Sequence, residues 1–320
     1  MRLWPGGIDG CTTPGEGSVR MGVGMGSKQV VVLVGGAGYL GVSTVLRSVE
    51  KKLVGEELSF FVAARRRSVK RRRWAREILK RAGTSLILGE TIEPSMIEGV
   101  SPDVVVYMAG KPGGERGKVW EAHYGLLKRL FNAIGSVGAR LVYVSSIAVR
   151  ADLSRDPPGS IVYEEEEHLS GEGRFETYHS ESKAEGERLT ASYRGRWAIL
   201  RPGLILGWMN PHLEWKLLKM ACRLHLVPHS PYAPVVRWWK AADAILKAVE
   251  GELDGRWVHV VEERGMREVL QEECGLSRSL AVNVHPLAGI GRLAGRGSPL
   301  RLGWSILRKK HYYRSRFLTL

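Results

Sequence analysis

The chain has little of several things, and each shortage removes a class of explanation. Its three cysteines, Cys11, Cys222 and Cys274, are far apart in sequence with no CxxC pair, so neither a disulfide framework nor a zinc site is indicated. The nine histidines include no HExxH, which removes a common metal-hydrolase arrangement. No apolar run approaches the roughly 20 residues that a membrane helix needs. The first 28 residues are glycine-rich and lack the apolar stretch of a signal sequence; they read as a loose tail, with Met21 and Met25 as alternative starting points. A soluble, cytoplasmic protein is expected. Asparagine and glutamine number only three and two beside abundant arginine, a bias of proteins from hot environments, which leaves room for an intracellular disulfide.

What is present is a chain of 320 residues, 44% apolar, long enough for one large or two modest domains with a real core. Its net charge of +15 points to an anionic partner: nucleic acid, an anionic lipid surface or a phosphorylated small molecule.

Residues 29–34, "QVVVLV", are dominated by valine and run into glycine, as a parallel strand buried on both faces does. Gly35, Gly38 and Gly41 follow at intervals of three, and Val42, Val45 and Leu46 continue at helical spacing. A strand, a tight turn and a helix whose free N–H groups face outward form a site for pyrophosphate. Gly35 permits the turn, Gly38 admits phosphate to the backbone, and Gly41 lets the helix pack on the sheet. The missing Gly-Lys-Ser/Thr excludes a P-loop. The next strand, "LSFFVAARRR", has no Asp or Glu at its end, where a ribose hydroxyl is normally held; Ala63, Ala64 and Arg65 are the candidates. Arg65, Arg66 and Arg67 suit a 2′-phosphate, which favours NADP, with NAD left open. The basic run to Arg81 reads mainly as the solvated face of a helix buried through Val69, Trp74 and Ile78, and nucleic acid is not expected as the partner.

Five segments occur in a telling order: "VGGAGYLG", "LILGETIEPSMIEGVSPDVVVYMAG", "LVYVSSIAV", "SKAEGERL" and "LRPGLILG". Together, from about Val30 to Gly207, they resemble the extended short-chain dehydrogenase/reductases, the NAD(P)-dependent epimerase/dehydratase group that includes nucleotide-sugar epimerases. The resemblance implies an α/β fold: a Rossmann-type doubly wound parallel sheet over residues 29–207 and a smaller C-terminal substrate region over 208–320. It also implies that Tyr39 and Leu40 lie within the cofactor turn, that Glu90 approaches the adenine, that Ala109 and Gly110 back the cofactor, and that Pro202 and Gly203 pass near the nicotinamide. The expected partner is an anionic small-molecule substrate, with a homodimer left open.

The family's chemistry uses a Ser or Thr, a Tyr and a Lys. By resemblance Ser146 matches the serine and Lys183 the lysine, which holds the nicotinamide ribose. The tyrosine position, four residues before the lysine, is His179. Four helical steps leave two side chains about 40° apart, whereas the five steps from Tyr178 leave them about 140° apart. Three readings stay open: His179 transfers the proton; Tyr178 enters through a π-bulge or a shifted helix start; or the chemistry is lost and a binding pocket remains. Other departures lie on the substrate side, with Arg150 and Ala151 in place of Tyr-Gly, His123 where Asn is frequent in the fourth helix, and Lys240 where Asp is common. Residues 213–226 have a helical apolar pattern suited to a core helix, a lid or a membrane-surface helix, and the basic, aromatic C-terminus reads as a solvated tail or one that binds a diphosphate, an acidic partner or RNA.

Overall fold

The computed structural model describes residues 28–149, 159–164, 175–207, 219–230, 232–277, 280–283, 293–307 and 311–318. The tail before Lys28, Arg150, Ala151 and residues 213–218 lie outside the described residues.

Seven strands form one parallel sheet. In chain order they are β1 (Gln29–Val34), β2 (Leu58–Arg65), β3 (Ser85–Gly89), β4 (Val104–Tyr107), β5 (Arg140–Val144), β7 (Trp197–Pro202) and β11 (Arg256–Val260). Their spatial order is β3-β2-β1-β4-β5-β7-β11, with every pairing parallel. This is a doubly wound, Rossmann-type α/β sheet, and its strand order reverses between β1 and β4.

The valine-rich strands are buried on both faces because side chains alternate along a strand. Val31 and Leu33 join one core, with Val42 and Val45 of α1 (Tyr39–Glu50) and Ile245 of α8 (Trp238–Glu250). Val32 and Val34 join the other, with Leu127, Leu130 and Ile134 of α6 (Leu126–Ser136). Between β2 and β3 the expected single helix is broken. Arg72, at φ −113° and ψ 62°, separates α2 (Arg66–Arg71) from α3 (Arg73–Arg81). Val69 is buried as expected, but Ala75 and Leu79 carry the inward face of α3, while Trp74 and Ile78 are half-buried.

The remaining helices of the sheet's crossovers are α4 (Pro94–Glu98), α5 (Arg116–Trp120) and α7 (Tyr178–Ala191). A π turn, Glu121–Gly125, joins α5 to α6 and packs against α7.

The chain beyond Gly207 contributes twice to this sheet, through α8, which packs on α1, and through β11. It also builds three small parallel pairs: β8 (Leu204–Leu206) with β10 (Val235–Arg237), β9 (Leu226–His229) with β12 (Leu280–Asn283), and β6 (Ile161–Val162) with β13 (Tyr312–Tyr313). Of the helix expected over 213–226, residues 219–223 are helical, and strand β9 begins at Leu226. The C-terminus is not a solvated tail. Helix α10 (Pro299–Leu307) is followed by β13, and Leu318 is buried in the core beside α8.

Cys222 and Cys274 form a disulfide across 52 residues of sequence, a bridge for which the sequence left room. Cys222 precedes β9 and Cys274 ends α9 (Met266–Glu273), which packs on β9, so only tertiary pairing brings them together. No helix among the described residues is long and apolar enough to cross a membrane.

Candidate cofactor cleft and proton-transfer site

The glycine turn has the shape its sequence demands. Gly35 sits at φ +82°, a region that side chains with a Cβ avoid, and an added Cβ would stand 2.7 Å from the Cα of Ala109. The loop after β4 is thereby pressed against the turn after β1, at the point where the strand order reverses. Gly41 lets α1 approach the Gly36 backbone, which a Cβ would strike. Gly38 is the N-cap of α1 and supplies no side-chain cap, so the helix presents uncapped N–H groups at its positive end. Tyr39 begins the helix with its hydroxyl buried beside Gly207, and burial, then the charge of Glu273, raises its pKa. Leu40 lies beneath, lining a small internal gap with Val144 and Pro202.

Ala63 and Ala64 are buried at the end of β2, whereas Arg65 is exposed at its tip. The Ala63 carbonyl accepts the Gly35 N–H at 2.9 Å, which fixes this tip beside the turn. Arg66 opens α2 and is exposed. Sequence reasoning missed Arg72. The helix break turns its Nη1 to 3.5 Å from the Ala37 carbonyl, inside the glycine turn. Its pKa is lowered, first by desolvation and then by the nearby charge of Arg65. A break at that spot is not written in helical periodicity. Glu90 is exposed just after β3, beyond the tip of β2.

The opposite half of the cleft is carried by β5 and α7. Thr177 caps α7, accepting the Ser180 N–H at 3.1 Å, and the helix is regular α from Tyr178 onward. Lys183 is buried. Its Nζ donates to the Val144 carbonyl at 2.6 Å, at the end of β5, and stands 4.9 Å from the Tyr143 ring centre. Burial lowers its pKa to about 7, against the opposing charge of Glu187. Beneath it Glu187 and Arg201 form a fully buried ion pair, with Nη2 to Oε2 at 2.7 Å, and Ser145 donates to the same carboxylate. Ser146, half-buried at the mouth, accepts the Ala148 N–H at 3.2 Å.

His179 and Tyr178 are separated by the helix start. The His179 ring meets the His123 ring edge-on, 4.7 Å between centres, and its Nδ1 lies 3.1 Å from the Lys111 carbonyl. Tyr178 lies under the Arg296 guanidinium at 4.9 Å, and its N–H donates to the Arg296 carbonyl. Arg296 also pairs with Glu181, so the segment before α10 straps the start of α7. Gly110 is wedged at the centre, where a Cβ would meet His123 Nε2 at 2.8 Å and Lys183 Nζ at 3.8 Å. Ala109, Gly110, Lys183, His123 and His179 thus gather at the carboxyl ends of β4 and β5. No group of residues suited to a metal ion occurs among the described residues.

No protein-family model matches the chain, and no curated protein does. Solved structures share its fold. The ADP-L-glycero-D-manno-heptose-6-epimerase of Helicobacter pylori superposes with TM-score 0.59 at 15% identity, covering 80% of this chain and 86% of that one. UDP-glucose 4-epimerase of Thermotoga maritima, with UDP-glucose, gives TM-score 0.56 at 15% identity over 80% and 85%. The dTDP-4-dehydrorhamnose reductase of Bacillus anthracis, in complex with NADP, gives 0.59 at 15% identity over 90% of each chain. At these identities the shared property is the fold.

Proposed function

We propose that the chain is an NADP(H)-dependent oxidoreductase or epimerase/dehydratase-type enzyme of the extended short-chain dehydrogenase/reductase kind, acting on a nucleotide-linked sugar or a related phosphorylated alcohol or ketone. The observation that carries this reading is the juxtaposition, at the carboxyl ends of β1, β4 and β5, of an uncapped helix start and a glycine turn with no room for a Cβ with a buried lysine flanked by histidine. The turn and helix fit a pyrophosphate, and Arg65 and Arg72 fit a 2′-phosphate. Similar folds solved with NADP, or with NAD and UDP, support the ligand class.

A bound nicotinamide would supply hydride acceptance or donation. Lys183 would hold the ribose through a group able to give or take a proton near neutrality. His179 would exchange a proton with the substrate oxygen, taking the role that tyrosine has in the family, and Ser146 would hydrogen-bond that oxygen. Positive charge around the cleft would draw in an anionic substrate.

A non-catalytic dinucleotide-binding sensor or assembly subunit is the second reading, and the histidine at the tyrosine position favours it. Titration calorimetry with NADP(H) and NAD(H) tests the cofactor assignment. NADP(H) should bind more tightly, and Arg65→Ala or Arg72→Ala should each weaken it roughly tenfold or more while sparing NAD(H), the loss of one charge-assisted contact. Equal affinities would overturn it. Turnover of nucleotide sugars that survives His179→Ala would overturn the proton-transfer role, and absence of turnover across a broad panel would select the binding-protein reading.

A further inference from the structure

We propose that His123 is a positioning residue for His179, that it acts by holding the backbone of Lys111 in place, and that the Lys111 carbonyl so placed fixes His179 as the tautomer whose Nε2 is the base. The proposal rests on His179 being the proton-transfer group, but its geometry does not. A backbone N–H only donates and a carbonyl only accepts. The Lys111 N–H lies 3.0 Å from His123 Nε2, so that nitrogen carries a lone pair and the neutral ring carries its proton on Nδ1. His123 Nδ1 therefore donates to Ser182 Oγ at 2.7 Å. Ser182 is free to accept there, because its own proton goes to the Tyr178 carbonyl at 2.7 Å or the His179 carbonyl at 3.1 Å.

The Lys111 carbonyl, which belongs to the next peptide unit along the chain, lies 3.1 Å from His179 Nδ1. That nitrogen must donate, and in the neutral ring the lone pair then falls on Nε2, the nitrogen that can take a proton. The order is Ser182, His123, the N–H and then the carbonyl of Lys111, and His179. Burial holds His123 neutral, its pKa pushed well below the usual range by desolvation first and then by the charges of Lys183 and His179. A charged His123 would aim a second N–H at the Lys111 N–H, which the geometry does not tolerate.

The π turn makes this arrangement. Its wider winding over Glu121–Gly125 brings His123 to full burial facing α7 instead of continuing the phase of α5. Gly110 completes it, since a side chain there would displace the His123 ring.

Side-chain 1H–15N NMR of the full chain tests this without substrate or cofactor, with the His179 signals assigned from His179→Gln. In the unsubstituted protein both His123 and His179 should show the Nδ1–H pattern. Glutamine places an oxygen where Nε2 was, so His123→Gln should keep the Lys111 contact and the His179 pattern. Asparagine reaches only the Nδ1 position, so His123→Asn and His123→Ala should release His179 into a mixture of tautomers. A His179 that is Nε2–H in the unsubstituted protein, or unchanged in all three variants, would overturn the proposal even if some variants fold poorly. Where turnover is found, kcat should fall about tenfold or more in the Asn and Ala variants with cofactor KM unchanged and recover in Gln. An enzyme with no turnover leaves the tautomer result standing, which separates failure of this proposal from failure of the functional reading.

Discussion

Replacing Glu187 with Gln should destabilise the protein sharply although the two side chains have nearly the same volume. The Glu187 and Arg201 side chains are both 0% exposed. They meet through two parallel contacts, Nε to Oε1 at 3.0 Å and Nη2 to Oε2 at 2.7 Å, and Ser145 donates to Oε1 as well. The amide keeps one acceptor, turns an NH2 group toward a guanidinium, and removes the charge that faces Arg201. Breaking one side of a buried pair costs about 3–5 kcal/mol, because the remaining charge stays desolvated. With about 2–4 °C of melting temperature per kcal/mol in a chain of this order of size, the expected fall is roughly 6–20 °C. Exchanging both members for apolar residues, Glu187→Leu with Arg201→Met, should recover most of that loss, since the attraction in the intact pair mainly offsets its own desolvation. Calorimetric and urea unfolding of the three variants without cofactor measures both effects. A Gln variant within about 1 kcal/mol of the parent, or a double variant no better than the single, would refute the reasoning.

Three further outcomes follow from the same structure. Because the pKa of Lys183 falls from 10.5 to about 7 on folding, the unfolded chain binds the extra proton between those values, so stability should rise with pH across that window, by at most about 5 kcal/mol; Lys183→Met should flatten the rise, and an unchanged slope would reject the buried-lysine account. Gly41→Ala should cost about 1–3 kcal/mol and weaken dinucleotide binding, because the new methyl strikes the Gly36 backbone; normal stability together with normal titration would contradict it. Reducing the Cys222–Cys274 bridge, which closes 52 residues, should lower stability by about 4 kcal/mol on chain-entropy grounds, with intact-mass analysis of thiols as the check; two free thiols in the purified protein would dispose of it.

The parallel sheet was legible in the sequence because its signals are local. A valine run between glycines, glycines three apart, and helical spacing after them specify strand, turn and helix from neighbouring residues alone. The same is true of the four-residue relation between His179 and Lys183, which is a property of any regular helix, and of the arginines at the tip of β2. The rest depended on partners distant in the chain. Arg72 reaches the glycine turn only because the helix breaks there, and Cys222 finds Cys274 only because β9 and α9 pack together. Arg296, 113 positions after Lys183 in sequence, straps the start of α7 through Tyr178 and Glu181. His123 reads in sequence as one unusual residue in a helix. Folding sets it on the Lys111 N–H while His179 meets the Lys111 carbonyl, because a π turn shifts the helix phase and Gly110 leaves the space. Local chain geometry therefore determined the strands of the sheet, the glycine turn and the helix that follows it. Tertiary packing decided which polar atoms meet, since hydrogen-bond and proton positions depend on distances that no periodicity encodes.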